Sequence, residues 1–278
     1  MVGEKAREAR WEEEARFFDA WARTRQVSPI PAPTLARYGA PELRPWYSKE
    51  FRMGLLGAGR GGLVGKHVLD LGCGDGRNSV LLAKLGARVT GIDLSREVIE
   101  VARERARVNG VAVRLVCGPI ETADLPDDAF DVVWGDAILH HVLDDLEAVM
   151  TRAARWTRPS GTMVFAEPVN LSPTLRWLRK RLPLRQQGTP GERPLEAADL
   201  GLIGRAFERL EVRRFQLLAR VDRFLLTRGS YETSSAPRRR VLDGLARLDG
   251  ALFEWPLPAR LTGPLAATMV LFGHPRKS

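Results

Sequence analysis

Three groups of residues in this 278-residue chain have the types and spacing to do chemistry. In "HVLDLGCGDGRNS", residues 67–79, an apolar run ends at Asp70, and Gly72, Gly74 and Gly76 follow within five positions. A glycine turn that leaves a strand and opens a helix lets the backbone approach a ligand closely. The spacing is not that of a phosphate cradle. A dinucleotide turn reads G-x-G-x-x-G and a P-loop ends in Gly-Lys-Ser/Thr, and neither pattern is present. Two acids, Asp70 and Asp75, suit a ligand carrying positive charge better than a pyrophosphate. The second group is His140 and His141, with Asp144 and Asp145 just beyond. Imidazole is the natural proton acceptor near neutral pH, and a neighbouring carboxylate orients it or stabilises its charged form. The third is Glu167, an acid closing the apolar run "GTMVFAEP". His67 and His274, at the start of one strand and near the chain end, read as structural.

These residues need elements to hold them, and the pattern from 67 to 168 supplies a regular series. Strand-like "HVLDLG" precedes helix-like "RNSVLLAKLG". Strand "RVTGID" precedes "SREVIEVARERARVNG", with Ser95 as N-cap and Gly110 as stop. Strand "AVRLVCG" leads into a loop, "DVVWGD" into the largely helical "AILHHVLDDLEAVMTRAARW", and "GTMVFAEP" closes the series. Strands alternating with helices predict a parallel sheet covered on both faces. Ligands then sit beyond the carboxyl ends of the strands, where Asp70, Asp93, His140, His141 and Glu167 fall. Adjacent residues on a helix point about 100° apart, so one histidine of the pair is expected to face the site.

Outside this series, residues 4–25 predict a helix with Trp11, Phe17, Phe18 and Trp21 on an apolar side. A proline-rich link and a short helix over "WYSKEFRMGLLG" follow. "GAGRGG" at 57–62 precedes a strand instead of leaving one, so it reads as a flexible lead-in. After Pro168 come a Pro/Gly/Arg-rich stretch, a helix in "LEAADLGLIGRAF", a strand in "FERLEVRRFQLL", a mixed segment at 219–262 and a last strand in "AATMVLFGH". A long excursion before the final strand suggests an insertion between neighbouring strands.

"VLDLGCGDG" resembles the first motif of class I S-adenosylmethionine-dependent methyltransferases, small-molecule type. "VTGIDLS" is similar to the family's second motif, and "LPDDAFDVVWGDAILHHVLD" and "RPSGTMVFAEP" resemble its fourth and fifth strands. The likeness covers roughly residues 45–170. It implies an α/β Rossmann-like, doubly wound, mostly parallel seven-stranded sheet with an antiparallel last strand, an N-terminal helical cap and a helical insertion between the last two strands. Implied divisions are a cap at 1–56, a cofactor-binding core at 57–170, and a basic part at 171–278 completing the sheet, with substrate-side insertions at 171–194 and 219–262.

The resemblance also implies roles. Asp70 orients the turn and meets the methionine amino group, and Gly72, Cys73 and Gly74 bring backbone to the cofactor. Asp93 accepts from the ribose hydroxyls and Leu94 packs on the adenine. Gly118, Ile120 and Asp136 complete the cofactor set. Where the family often has a polar side chain for the adenine amino group stands Pro119, which shifts that task to backbone, to Glu121 or to apolar contact. Catalytic candidates are His141 as general base, then His140, with Glu167 meeting substrate. The cofactor is S-adenosylmethionine, leaving as S-adenosylhomocysteine, and no metal is expected, since the paired acids and asparagine of catechol-type enzymes are not recognisable.

Composition bounds the partners. The chain carries 43 Lys+Arg against 34 Asp+Glu, a net +9. Residues 1–170 hold 23 basic and 24 acidic side chains, so the excess belongs to residues 171–278. That part could meet an acidic or lipid-linked acceptor, or lie on an anionic membrane through residues 176–185, where Trp177, Leu178 and Leu182 interleave with arginines. The expected partner is a small molecule with a hydroxyl acceptor. Rival readings are an RNA-modifying enzyme or RNA-binding module using the basic half, a nicotinamide oxidoreductase, and a silent cofactor-binding protein. No array of stacking aromatics supports nucleic acid, and the turn spacing disfavours nicotinamide. Two cysteines are too few for a disulfide scaffold, no long apolar run is present and the N-terminus is charged. The expectation is a cytoplasmic protein.

Overall fold

The computed structural model describes residues 2–173, 192–219, 231 and 234–277. Five strands follow in the predicted order: β1 His67–Leu71, β2 Arg88–Asp93, β3 Val113–Cys117, β4 Phe130–Asp136 and β5 Thr157–Pro168. β6 Glu211–Phe215 and β7 Thr268–Gly273 complete one sheet in the order β3-β2-β1-β4-β5-β7-β6. The first five strands pair in parallel, and β7 runs antiparallel to both β5 and β6. This is the expected seven-stranded architecture. The order reverses between β1 and β4, which opens a crevice at their carboxyl ends.

Side-chain alternation builds a core on each face of the sheet. Leu69, Val133, Met163 and Phe165 turn to one face, with Leu146, Trp156 and Phe207. Val68, Val132, Trp134 and Val164 turn to the other, with Met53, Leu82 and Phe215. The connecting helices are α4 Arg77–Lys84, α5 Arg96–Val108 and α6 Leu146–Trp156.

The N-terminal region is more ordered than its composition suggests. α1 spans Val2–Ala22, α2 Ala32–Gly39 and α3 Ser48–Leu55. α2 lies inside the proline-rich stretch read as a link. Its prolines fall at the entry, where a missing N–H costs no helical hydrogen bond. The 57–62 cluster is likewise a packed turn and not a flexible lead-in. Gly57 and Gly61 are left-handed, and a Cβ on Gly62 would stand 2.6 Å from the Leu56 carbonyl oxygen.

Beyond β5 come α7 Ala197–Gly204, β6, then α8 Ala236–Glu254 and α9 Pro256–Thr262, before β7 returns between β5 and β6. Helices therefore make up most of the described part of the excursion between the last two strands. The membrane-contact stretch 176–185 lies outside the described residues, as does most of the 171–194 insertion. No described helix is long and apolar enough to cross a membrane.

Two left-handed glycines separate strain from crowding. Gly76 begins α4 at φ +76°, and its Cβ would stand 2.8 Å from Ala102 Cβ on α5; Gly110 ends α5 at φ +64° with open space around it. Gly110→Ala should cost about 1 kcal/mol from backbone strain alone. Gly76→Ala adds overpacking and should cost about 2–4 kcal/mol. Thermal unfolding followed by circular dichroism should therefore show a clearly larger fall in Tm for Gly76→Ala. Equal falls would contradict the packing assigned to this turn.

Candidate functional site

The end of β2 is joined to the glycine turn by a set of backbone bonds. Asp93 accepts from Gly74 N at 2.9 Å and from Ser95 N at 3.0 Å, and its own carbonyl accepts from Gly118 N at 2.9 Å. Ser95 caps α5 as expected, its Oγ accepting from Val98 N. Burial pushes the Asp93 carboxyl pKa up, against those backbone donors. A cavity of about 200 Å³ opens over this carboxylate.

Six of the nine cofactor-side residues line that cavity: Gly72, Gly74, Asp93, Leu94, Ile120 and Asp136. Gly74 is left-handed at φ +53° with nothing within 4 Å of its Cβ position, so this stretch of backbone is bare toward the cavity. Asp70, Cys73 and Gly118 are not on the wall. Asp70 is buried under the turn, accepting from Ser79 Oγ at 2.6 Å, which leaves it the orienting part of its expected role. Cys73 packs its sulfur against Gly91 of β2, and burial raises its thiol pKa, so it is an inert packing group there. Gly118 serves by its bond to Asp93.

Asp75 departs from the sequence argument. Its charge is spent inside the protein on Arg105 of α5, at 2.7 Å, and on Arg25 at 3.4 Å. Of the acids in the expected set, Asp136 stands on the cavity wall beside Asp93, and it too is paired. Lys49 and Arg52 of α3 reach it at 3.4 and 3.2 Å, and Asn78 donates to it at 2.9 Å. Burial works against its charge, but Arg52, Lys49 and Asn78 hold the carboxyl well below the ordinary range.

α1 forms the opposite wall with Trp11, Glu14, Phe18 and Trp21. It is fastened by Arg10, which bonds Asp144 at 2.7 Å, Asp145 at 2.6 Å and Glu121 at 3.1 Å. Trp11 Nε1 also donates to Glu121, and Ser95 Oγ donates to Asp19. Glu121, considered for the adenine amino group, is thus already engaged.

The histidine segment also departs from expectation. Leu139–His141 and Leu143–Asp145 are 3₁₀ turns, with α6 beginning only at Leu146, so the pair is not on a helix. Asp144 and Asp145 belong to Arg10, not to His141. His141 lines the cavity, and its Nδ1 lies 3.2 Å from Glu14 and 3.1 Å from Glu192. Burial alone would lower its pKa, but the two glutamates overcome that and push it up to about 9. His140 lies off the cavity wall, with Nδ1 at 2.9 Å from Glu167. Glu167 is fully buried and also accepts from Ile138 N and Leu139 N, so it fixes the turn after β4 and does not face the cavity.

Sequence reasoning missed Lys49, Arg52, Glu14 and Glu192. For the first two a signal existed: spaced i, i+3 in a short amphipathic helix, they share one face. Nothing local marks Glu14 or Glu192 as partners of His141.

Residues 69–165 match the family model of a methyltransferase domain. Over 116 residues the chain is 40% identical to a ubiquinone biosynthesis O-methyltransferase of Idiomarina loihiensis, covering 41% of this chain and 47% of that protein. A protein of the same description from Coxiella burnetii is 38% identical over 104 residues, 37% of this chain and 44% of that one. The chain thus spans about half the length of these curated relatives. Among solved structures, a [4+2]-cyclase, SpnF, superposes with a TM-score of 0.53 at 20% identity, over 90% of this chain and 98% of that one. A chain from a complex that contains the Haloferax volcanii Trm112 methyltransferase activator gives 0.52 at 17% identity, over 95% and 98%. At these identities the two structures establish the shared fold.

Asp70 offers a test of the turn that is independent of ligand. Burial raises its carboxyl pKa to about 7, against the bond from Ser79 and well above the unfolded value of 3.8. A raised folded pKa means the stability from keeping this group protonated is complete below about pH 3.8 and lost as pH rises through 7. Asp70→Asn removes the titration. The Tm of the variant relative to the native chain should therefore rise between pH 5 and pH 8, the change corresponding to a few kcal/mol at most. A pH-independent difference would rule out the buried, protonated state.

Proposed function

We propose, for a chain whose core belongs to the class I S-adenosylmethionine-dependent methyltransferase family, that the cavity binds S-adenosylmethionine and that the protein transfers its methyl group to a small-molecule hydroxyl. The observation that carries this reading is the joined Gly74–Asp93 turn facing one cavity with the Lys49/Arg52–Asp136 cluster.

The donor set fits the ligand. Asp93 offers fixed, acceptor-only oxygens for a diol. Leu94, Pro119 and Ile120 give an apolar wall for a purine. Asp136 puts a carboxylate on the wall for an ammonium group, held from behind by Lys49 and Arg52. Bound there, the cofactor supplies an already activated methyl on a sulfonium. The protein's share is to position the acceptor and exclude water, which the aromatic face of α1 serves. Of the three catalytic candidates, His141 is the one placed to meet the acceptor. Held through Nδ1 by Glu14 and Glu192 it is charged near neutral pH, so its Nε2–H would hydrogen-bond the acceptor oxygen, and the hydroxyl proton would pass to Glu14 on the same cavity wall.

A second cavity of about 200 Å³ supports a small-molecule acceptor. Tyr38, Trp46, Tyr47, Phe215 and Tyr231 line it, together with Lys49, whose Nζ reaches Asp136 of the first cavity. One ion pair therefore stands between the two spaces. An acidic or lipid-linked acceptor is the finer reading, supported by the basic excess of residues 171–278.

Calorimetric titration with S-adenosylmethionine, S-adenosylhomocysteine and NAD tests the proposal. The first two should bind and NAD should not. Asp93→Ala should weaken S-adenosylhomocysteine by about 10- to 100-fold, the worth of one hydrogen bond to a charged acceptor. Circular dichroism should confirm that the variant is folded. Binding of NAD alone, or full affinity in folded Asp93→Ala, would overturn the reading.

A further inference from the structure

Next to the cavity, three carboxylates converge on two imidazoles. Glu167, Glu14 and Glu192 all lie within 3.2 Å of a histidine Nδ1. The nearest arginines are committed elsewhere: Arg10 to Glu121, Asp144 and Asp145, and Arg193 to Asp199. Three carboxylates around two imidazoles make the cluster acidic in composition.

The geometry within the cluster is more specific than the charge. With the Glu167 carboxylate accepting at 2.9 Å, His140 Nδ1 carries a proton, and the neutral form of the ring then offers its Nε2 lone pair to a ligand. Three bonds to one buried carboxylate fix that tautomer and the ring direction together. A carboxylate standing behind an imidazole in this way is the usual support of a metal-bound histidine. The His141 ring follows at a centroid distance of 4.2 Å, and Glu192 Oε1 lies 3.1 Å from its Nδ1. One donor atom from each of His140, His141 and Glu192 lies within 4.8 Å of the others. Among the described residues, no other group of three histidine, cysteine or acidic side chains brings its donors so close. A tetrahedral ion with ligands at about 2.0–2.1 Å needs them about 3.3 Å apart, a spacing reached by small side-chain shifts.

We propose that His140, His141 and Glu192 form a binding site for a divalent transition-metal ion of the zinc type, with Glu167 as the positioning residue behind His140. Two imidazoles and one carboxylate match the preferences of such ions, and unlike a closed structural site they leave coordination positions open; binding would displace the proton that His141 carries beside its glutamates. His141 also lines the cavity, so those positions lie at the cavity's edge. The sequence reading expected no metal because it looked for paired acids. The ligands here come from one 3₁₀ turn and from the segment leading into α7.

The test uses the full chain, stripped with a chelator and without S-adenosylmethionine. Cobalt(II) should bind one per chain with visible absorption of a nitrogen- and oxygen-ligated ion, and zinc should displace it. His140→Ala and Glu192→Gln should each lower cobalt affinity at least about tenfold, and Glu167→Gln by about 10- to 100-fold without removing a ligand. Glu167 also holds two backbone N–H groups and its variant could unfold. His140→Ala, which breaks no described backbone bond, and the near-isosteric Glu192→Gln carry the test in that case, with circular dichroism confirming that each is folded. Absence of a saturable cobalt signal, or a signal unchanged in both of those variants, would overturn the proposal. Cofactor titration of the stripped protein is read separately, so failure of one proposal is distinguishable from failure of the other.

Discussion

Arg52 is 1% exposed, and a cation so deeply buried is tolerable only with a partner close at hand. Its guanidinium lies 4.2 Å over the Trp134 ring, 3.2 Å from Asp136 and within reach of the Gly135 carbonyl. Those three residues are the end of β4, on the rim where the strand order reverses. The pairing fixes α3 against that rim, and with it Lys49, which closes the ion cluster and stands between the two cavities. The cap therefore belongs to the site electrostatically, as well as by covering it.

The same principle governs α1. Little in its alternating charges commits the helix to one face of the protein, yet Arg10 meets three carboxylates drawn from two separate loops. Trp11 and Asp19 add directed bonds on either side. The apolar edge of the helix is then placed over Asp93 and Leu94. Exposed ion pairs contribute little singly, but a hub with several partly buried partners is a network and fixes geometry. The result is a cavity whose floor is backbone and acid and whose roof is aromatic. That combination suits a ligand with a polar, partly cationic body and a flat apolar end. A fold of this kind hosts many reactions, so the argument for function rests on these side chains and not on the sheet.

Much of this was legible in the chain. The alternation of apolar runs and capped helices located five strands within a few residues, and Ser95 and Gly110 bounded α5 because capping is local chemistry. The glycine turn and Asp93 were legible for a similar reason, since left-handed backbone and a strand-end acid leave marks within a few positions. Reading failed where a charge had a choice of partner. Asp75 looked available to a ligand and is held by Arg105, thirty residues on. Asp144 and Asp145 looked like partners of His141 and are held by Arg10. Glu167 looked like an edge carboxylate and is buried behind His140. In each case local spacing permitted the contact, while the nearest opposite charge in space came from another element.

By itself, then, the sequence determined the sheet, its capped helices and the backbone of the glycine turn, because these follow from periodicity, propensity and residues that alone can adopt left-handed conformations. Only the tertiary structure decided which charges meet. Ion pairing depends on distances between segments that packing sets, and burial makes those distances count by removing the water that would otherwise screen them. That is why the ion partners of Asp136 and His141 emerged only once α1, α3 and the segment before α7 stood against the rim of the sheet.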